Sequence, residues 1–266
     1  MKLGVSINVY EGAELLQPLV DNIRLNVDFI LINWQEYSYT GNRISDNDKE
    51  KILNLKGIDQ FNIFRIQKYA TNISDAKELE KRKRNEGRSI CLKNGCDYFQ
   101  DLDVDEFYKK EEYKEAKEFI QEKSIQFSYC NFINYHNKPI YKSKRSSNGI
   151  VPFISSLKME GGLGSDVITF HTDPTRGNNF TPMQNMGAIV QVFGTDKLLM
   201  HHFTNVRNDL DKKYNDTTLA CLDRGKTNEL IETIRKIDDN HLKIEHQFPM
   251  LDKEFEIVPN YFNIDI

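Results

Sequence analysis

Short apolar runs alternate with amphipathic stretches along the first hundred residues. Three of these runs have the character of buried parallel strands: residues 3–10, 28–34 and 61–66. Residues 11–26 and 77–94 carry apolar side chains at helical spacing, with Ser74 as a suitable N-cap for the second helix. A fourth run begins at Tyr98. Strands that alternate with helices predict right-handed crossovers and an α/β fold with a mostly parallel, doubly wound sheet flanked by helices.

The period of the pattern changes after residue 110. Residues 111–123 predict a charged amphipathic helix, and the stretches 125–135 and 138–142 predict a hairpin that turns at His136-Asn137. Further elements are expected in three places: a strand at 150–157, a capped amphipathic helix at 227–237, and a packed extension beyond His241. The second half of the chain therefore predicts a smaller lobe of mixed structure.

Four carboxylates follow the fourth apolar run within six residues: Asp101, Asp103, Asp105 and Glu106. In a doubly wound sheet this is a ligand position, because ligands bind beyond the carboxyl ends of the strands. Acids this close together repel, and a hard divalent cation would neutralise them, since Mg²⁺, Mn²⁺ and Ca²⁺ prefer oxygen ligands. A solvated acidic turn is the alternative interpretation.

A helix-loop-helix calcium site is a second alternative for the same acids. Positions one, three, five and twelve of such a loop are matched by Asp101, Asp103, Asp105 and Glu112. However, Glu106 occupies the sixth position, where the sharp turn needs glycine. Asn94-Gly95 also ends the preceding helix, so the residues leading into the acids predict a strand.

Composition narrows the class of protein. The 266 residues carry a formal net charge of −4, with acids and bases interspersed, so there is no overall basic footprint for nucleic acid. No apolar run approaches the length of a membrane span, and the N-terminus lacks a signal pattern, so we expect a soluble cytoplasmic protein. The cysteines have no metal or disulfide spacing and predict free thiols, mostly buried: Cys91, Cys96, Cys130 and Cys221.

The order Arg84-Asn85, helix, strand, then Asp103-Val104-Asp105-Glu106-Phe107 resembles the core of family-2-like glycosyltransferases with the GT-A fold. In that family an Arg-Asn pair precedes a strand that ends in Asp-x-Asp, and many members carry the Asp-x-Asp-Glu-Phe variant. The resemblance implies a GT-A type, Rossmann-like sheet. It also implies that Asp103 and Asp105 hold Mn²⁺ or Mg²⁺ against the diphosphate of a nucleotide sugar, with Asp101 in support.

Polar residues that follow the first two strands are expected at the donor nucleotide. In the family this edge receives the base and ribose, which here selects Asn8, Tyr10, Glu11, Gln35 and Glu36. Loops at strand ends are polar in any case, so each of these is also an ordinary loop residue. Within the basic run 81–84, Arg84 is expected to face the sugar nucleotide, because a guanidinium binds phosphate or base edges as a fork. The absence of Gly-x-Gly-x-x-Gly after the first strand disfavours a dinucleotide-binding enzyme.

A second motif, Leu199-Met200-His201-His202-Phe203, is followed by Arg207 and Lys213. It resembles the C-terminal metal and phosphate element of the same family, in which a histidine completes the metal site. Adjacent strand residues point to opposite faces, so only one histidine can serve. The His-Phe match favours His202 over His201, and a packed structural histidine is the alternative. Arg207 and Lys213 are expected to counter the diphosphate charge that develops on the leaving group.

The catalytic base is left open by the sequence. A glycine-rich acidic segment around 159–166 supplies Glu160 and Asp166 as candidates, and Asp173 is a third. Arg176 is either a ligand for an anionic group or a turn residue. A retaining enzyme needs no such base, and the sequence does not separate retaining from inverting chemistry.

These features predict a metal-dependent glycosyltransferase of the hexosyltransferase type. It would move a sugar from a nucleoside diphosphate sugar, foremost a UDP-sugar, to a hydroxyl on a glycan, protein, small molecule or modified nucleic-acid base. We expect one catalytic domain over 1–266, with donor binding in 1–107 and the acceptor side in 108–266.

Two alternatives come from other classes. A nucleotidyltransferase usually has a basic, glycine-rich loop after the first strand, which residues 9–14 lack. A non-catalytic calcium- or carbohydrate-binding module is the other, and it would not turn over a nucleotide sugar.

Overall fold

Four parallel strands form one side of the central sheet. In the computed structural model, which describes residues 1–146, 149–157, 187–216, 224–248 and 251–266, they lie in the order β3-β2-β1-β4. Their bounds are β1 Leu3–Val9, β2 Phe29–Trp34, β3 Gln60–Ile63 and β4 Tyr98–Asp103. All three pairings among them are parallel. The α/β fold with a mostly parallel central layer is therefore confirmed, and β1 and β2 are buried almost throughout, as their apolar runs require.

Three α-helices connect these strands, and a fourth lies beyond β4 in the sequence. They are α1 Leu16–Ile23, flanked by 3₁₀ turns at Ala13–Leu15 and Arg24–Asn26, then α2 Asp46–Leu53, α3 Ile73–Lys93 and α4 Lys110–Glu122. The N-cap of α3 is Asn72, whose side chain accepts a hydrogen bond from the Asp75 backbone N–H at 3.0 Å. The prediction of Ser74 as this cap was wrong by two residues, because both residue types cap well and only Asn72 holds the extended backbone of a cap.

The other half of the sheet is mixed in direction. It contains β5 Glu106–Tyr108, β6 Phe127–His136, β7 Tyr141–Ser143, β8 Ile150–Ser156, β9 Val190–Val192, β10 Leu199–Asn205 and β11 Phe255–Ile257. Strand β8 is antiparallel to both β4 and β6, so β6 runs in the same direction as β4. Strand β10 is parallel to β6. The C-terminal ends of β1, β4 and β10 therefore lie at the same edge of the sheet.

The C-terminal part has its own apolar core. Helices α5 Leu210–Asp216 and α6 Arg224–Arg235 pack with the β7–β11 pair around Tyr214, Ile234 and Phe255. The predicted hairpin and packed extension are confirmed, but α6 begins before Thr227, so this residue is not its cap. The end of the chain also joins the main core through Phe262 and Ile264.

One prediction from composition is tested directly. Cys91, Cys96 and Cys130 are buried free thiols, as expected, while Cys221 lies outside the described residues. Within the parts of the chain that the structure describes, no helix combines the length and apolarity that a membrane crossing needs.

Candidate active site

The end of β4 directs its acids toward different neighbours. Asp101 and Asp103 are two positions apart on the strand and therefore share one face. Asp103 lies opposite Asn8 of β1 in the parallel register. Asp105 follows in the turn between β4 and β5, where the alternation has ended. The helix that would lead into a calcium loop is replaced by β4, so the helix-loop-helix interpretation was wrong.

The first group, which we call the Arg84 cluster, consists of Arg84, Glu80, Asp101 and Asp103. Arg84 donates to Asp101 at 2.7 Å, to Glu80 at 2.8 Å and to Asp103 at 3.0 Å. The Asn8 amide also donates to Asp101, at 2.8 Å. Burial raises the pKa of Asp101 to about 6, although Arg84 opposes this shift. Three acids surround one buried base, so this cluster has an excess of negative charge.

The second group, the Asp105 cluster, consists of Asp105, His202, Arg207 and Lys213. Arg207 donates to Asp105 Oδ2 at 2.6 Å, Lys213 Nζ lies 3.6 Å from the same oxygen, and His202 Nε2 lies 3.7 Å from Oδ1. Burial acts to raise the pKa of Asp105, but Arg207, His202 and Lys213 together hold it well below its ordinary value. Asp105 is only 6% exposed, so the solvated-turn interpretation was wrong.

Two bases face one carboxylate here, so the Asp105 cluster has an excess of positive charge. Burial, with the nearby Arg207 charge, lowers the pKa of Lys213 to about 8. Arg207 is fixed by donating through Nη1 to the carbonyls of Phe203 and Val206. Gly12, in the left-handed region at φ 75°, brings the loop after β1 close, and a Cβ there would lie 3.0 Å from Arg207 Nε. The end of β1 thus approaches the guanidinium directly.

The two adjacent histidines of β10 have separate environments. His201 packs 5.0 Å, ring to ring, from Phe262, and its Nδ1 lies 2.8 Å from the Tyr135 hydroxyl. Burial lowers the pKa of His201 to about 3, which is typical of a neutral core histidine. His202 lies on the opposite face, toward Asp105. Of the pair, His202 is therefore the histidine that faces the acids.

The fit of a divalent metal depends on Asp105 and His202. Among the described residues, no three or more His, Cys, Asp or Glu side chains converge as a metal site. Asp105 Oδ1 and His202 Nε2, 3.7 Å apart, do suit two positions on one ion, since ligands about 2.1 Å from Mg²⁺ or Mn²⁺ lie roughly 3–4 Å from each other. Asp103 is turned to Arg84 instead. The pair fits an ion that takes its remaining ligands from phosphate and water.

The residues predicted to contact the nucleotide differ in whether their polar atoms already have partners within the protein. Asn8 Oδ1 and Gln35 Oε1 are buried acceptors without a partner in the described part of the chain. Tyr10 donates to the Asn42 carbonyl, Glu36 pairs with Lys49, and Glu11 lies close enough to Lys213 to affect its pKa. Asn8 and Gln35 therefore each have an acceptor oxygen without a partner in the described part of the chain, whereas Tyr10, Glu11 and Glu36 interact with other residues.

Two further buried ionisable residues lie at this edge: Glu106, which the sequence grouped with the acids without a role of its own, and Lys83, which it missed. Glu106 accepts from the Asp103 backbone N–H at 3.0 Å, and burial beside Asp103 raises its pKa well above the ordinary value. Lys83 donates to the Val9 carbonyl at 2.9 Å, and burial lowers its pKa to about 7. Lys83 sits in a basic run that resembles a solvated helix face, so no sequence signal separated it from its neighbours.

The acceptor-side candidates Glu160, Asp166, Asp173 and Arg176 lie outside the described residues. Their roles stay predictions from the sequence.

Comparison with known proteins finds solved structures of low sequence identity. No family model matches the chain, and no curated protein matches it. An alignment to TarS from S. aureus (residues 1–349) covers 50% of this chain and 36% of that chain, with 14% identity and a TM-score of 0.34. With TarS in complex with UDP-GlcNAc the shares are 87% and 70%, at 12% identity and a TM-score of 0.38. The chain thus spans about a third to two thirds of the length of this neighbour.

Two further solved structures are matched over their lengths. A glycosyltransferase involved in glycosylation of the major capsid of PBCV-1 covers 87% of this chain and 100% of its own, with 11% identity and a TM-score of 0.35. CMP:2-keto-3-deoxy-manno-octonic acid synthetase complexed with CTP gives the same shares, with 10% identity and a TM-score of 0.40. At these scores the likenesses carry no functional argument. The fold is assigned from the strand order: α/β, with a mostly parallel central sheet whose β1, β4 and β10 ends meet at one edge.

Proposed function

We propose that this protein is a metal-dependent glycosyltransferase that moves a sugar from a nucleoside diphosphate sugar, foremost a UDP-sugar, to a hydroxyl acceptor. The observation that carries the proposal is the Asp105 cluster, in which a carboxylate and an imidazole lie beside two bases at the edge of the sheet where β1, β4 and β10 end. A metal diphosphate has the complementary pattern, because its cation suits acids and its phosphate oxygens suit bases. A cytoplasmic location stays a prediction from the sequence.

Different residues of the Asp105 cluster would act on different parts of the donor. Asp105 and His202 would hold a divalent metal, which as a Lewis acid would supply charge neutralisation on the diphosphate. Arg207 and Lys213 would bind phosphate oxygens and stabilise the negative charge that builds on the departing nucleoside diphosphate. Because both bases are fixed and largely buried, they would need little rearrangement when the bond to the sugar breaks.

The strand ends next to the clusters would receive the nucleoside. Asn8 Oδ1 and Gln35 Oε1, which accept no hydrogen bond in the described part of the chain, are suited to N–H groups of the base or hydroxyls of the ribose. Tyr10 and Glu11 belong to the loop after β1 and would line the nucleoside site. Arg84 is occupied by Asp101 and Asp103, so its proposed role is to hold these acids, with a phosphate contact only if they rearrange.

A nucleotidyltransferase is a second candidate, and one observation favours it. Lys83 places an ammonium group against the Val9 carbonyl, at the end of β1. The loop after β1 has no basic residue of its own, so Lys83 supplies from α3 the charge that such an enzyme would need. The two reactions differ in product: a nucleotidyltransferase releases pyrophosphate from a nucleoside triphosphate, and a glycosyltransferase releases a nucleoside diphosphate.

The test is a thermal-shift panel of uridine, guanosine, cytidine and thymidine diphosphates and the corresponding triphosphates, each with and without Mn²⁺. A ligand that binds only the folded protein raises its melting temperature. We expect the largest shift from one diphosphate together with Mn²⁺, and a much smaller one in Asp105→Asn. Asp97→Asn is the matched control, because Asp97 lies just before β4, at the opposite end from the acids.

A shift that only triphosphates produce, followed by pyrophosphate release in the presence of a sugar phosphate, would favour the nucleotidyltransferase. A shift with calcium and with no nucleotide would favour a binding module. An equal shift in Asp105→Asn and the parent protein would remove the Asp105 cluster from nucleotide binding.

A further inference from the structure

A line of polar side chains connects the Asp105 cluster to the C-terminal extension. His202 on β10 lies directly opposite Asn134 on β6 in the parallel register, and its Nδ1 is 3.1 Å from Asn134 Oδ1. Asp252, a residue of the extension, lies close to the Asn134 side chain, which helps to lower the pKa of its carboxyl against the effect of burial. Asp252 is held from a second side by the Ser143 hydroxyl at 2.6 Å. The extension, for which the sequence indicated no chemistry, thus reaches within two contacts of the site.

The chemistry of these groups determines which atoms face each other. The Asn134 amide oxygen faces His202, and its NH₂ group suits the nearby carboxylate of Asp252, which only accepts hydrogen bonds. An amide oxygen also only accepts, so His202 must carry its proton on Nδ1. In the neutral ring the lone pair is then on Nε2, the nitrogen that lies 3.7 Å from Asp105 Oδ1.

We propose that Asn134, oriented by Asp252, is the positioning residue that fixes the ring and tautomer of His202 so that Nε2 is presented as a metal ligand. This inference rests on the proposed function, since it supplies the reason why His202 would bind a metal. Histidine ligands commonly donate their second ring nitrogen to an outer acceptor, and loss of that acceptor weakens metal binding by about 10–100-fold. Asn134 occupies the position of that acceptor without touching the ion.

The neighbouring histidine provides an internal control. His201 has its own hydrogen-bond partner on β6, the Tyr135 hydroxyl at 2.8 Å. A hydroxyl both donates and accepts, so Tyr135 does not select a tautomer. His201 also lies among aromatic rings, including Phe262, rather than beside Asp105. Removal of the Tyr135 hydroxyl therefore removes an equivalent contact from a histidine that does not face the proposed ion.

The experiment compares Asn134→Leu with Tyr135→Phe in the full chain. Mn²⁺ affinity in the presence of UDP is measured by electron paramagnetic resonance of the free ion, and the imidazole tautomer is measured by ¹⁵N NMR without metal. We expect Asn134→Leu to bind Mn²⁺ at least about tenfold more weakly and to lose the pure Nδ1–H signature of His202. Tyr135→Phe should match the parent protein in both readouts.

An exchange variant keeps the test decisive if Asn134→Leu folds poorly. Asn134→Asp combined with Asp252→Asn restores an acceptor toward His202 and a donor toward residue 134, so affinity should return to within about threefold of the parent. Parent-like affinity in Asn134→Leu, or no recovery in the folded exchange variant, would overturn the inference. If the parent protein itself binds no Mn²⁺ with UDP, the proposed metal dependence fails, and the NMR readout still decides whether Asn134 sets the tautomer.

Discussion

The Arg84 cluster and the Asp105 cluster arise from one acidic stretch, yet they have opposite charge balance. In the Arg84 cluster three carboxylates share one guanidinium. In the Asp105 cluster one carboxylate faces a guanidinium and an ammonium. The acids are similar, so the difference comes from their partners: α3 supplies Arg84, while Arg207 comes from the segment after β10 and Lys213 from α5. An acidic motif therefore does not by itself set the charge of a site.

The largest stability effect is expected where three acids depend on one base. Arg84→Met would leave Asp101, Asp103 and Glu80 without their shared cation, and loss of one partner from a buried ion pair costs about 3–5 kcal/mol. Urea unfolding measures this loss. Arg82→Met is the matched control on the exposed face of the same helix, with an expected change within about 0.5 kcal/mol. If Arg84→Met costs no more than the control, the acids do not depend on Arg84.

Lys83 sharpens the comparison, because it is buried next to Arg84 but donates to a carbonyl rather than to an acid. Burial lowers its pKa to about 7 in the folded protein, against 10.5 as the ordinary value. Between these pH values the unfolded chain binds more protons, so stability should rise as pH increases from about 7 to about 10. Lys83→Met should lack this part of the rise and be more stable at pH 7 by about 1–4 kcal/mol.

Urea unfolding of both proteins from pH 7 to pH 10 measures the difference. The Val9 carbonyl keeps a hydrogen bond from the Gln35 N–H in the variant, so this backbone acceptor still has a donor. A variant with the same pH slope as the parent protein, or with lower stability at pH 7, would mean that the acids of the Arg84 cluster compensate the Lys83 charge.

The sequence predicted the strands of the first half well, because β1 and β2 are buried on both faces and their apolar runs leave few alternatives. It also predicted that the acids follow the end of a buried strand, which the structure shows to be β4. What it could not predict is which acid meets which base. Arg207 reaches Asp105 across 102 positions of sequence, and a one-residue change in either turn would alter that pairing. The same holds for Asn134 and His202, which meet only because β6 pairs with β10.

The smallest expected effect distinguishes the two faces of β10. His202→Ala should weaken Mn²⁺ binding with UDP about tenfold, equivalent to about 1.4 kcal/mol, because it removes the nitrogen that faces Asp105. His201→Ala should leave the affinity unchanged and lower the melting temperature, because it opens a cavity beside Phe262 and Tyr135. Metal titration and thermal unfolding are measured for both variants. The proposal requires that His202→Ala changes mainly the metal affinity and that His201→Ala changes mainly the melting temperature. A larger affinity loss in His201→Ala would place the ligand on the opposite face of β10, and the Asp105 cluster would then bind phosphate without a metal at His202.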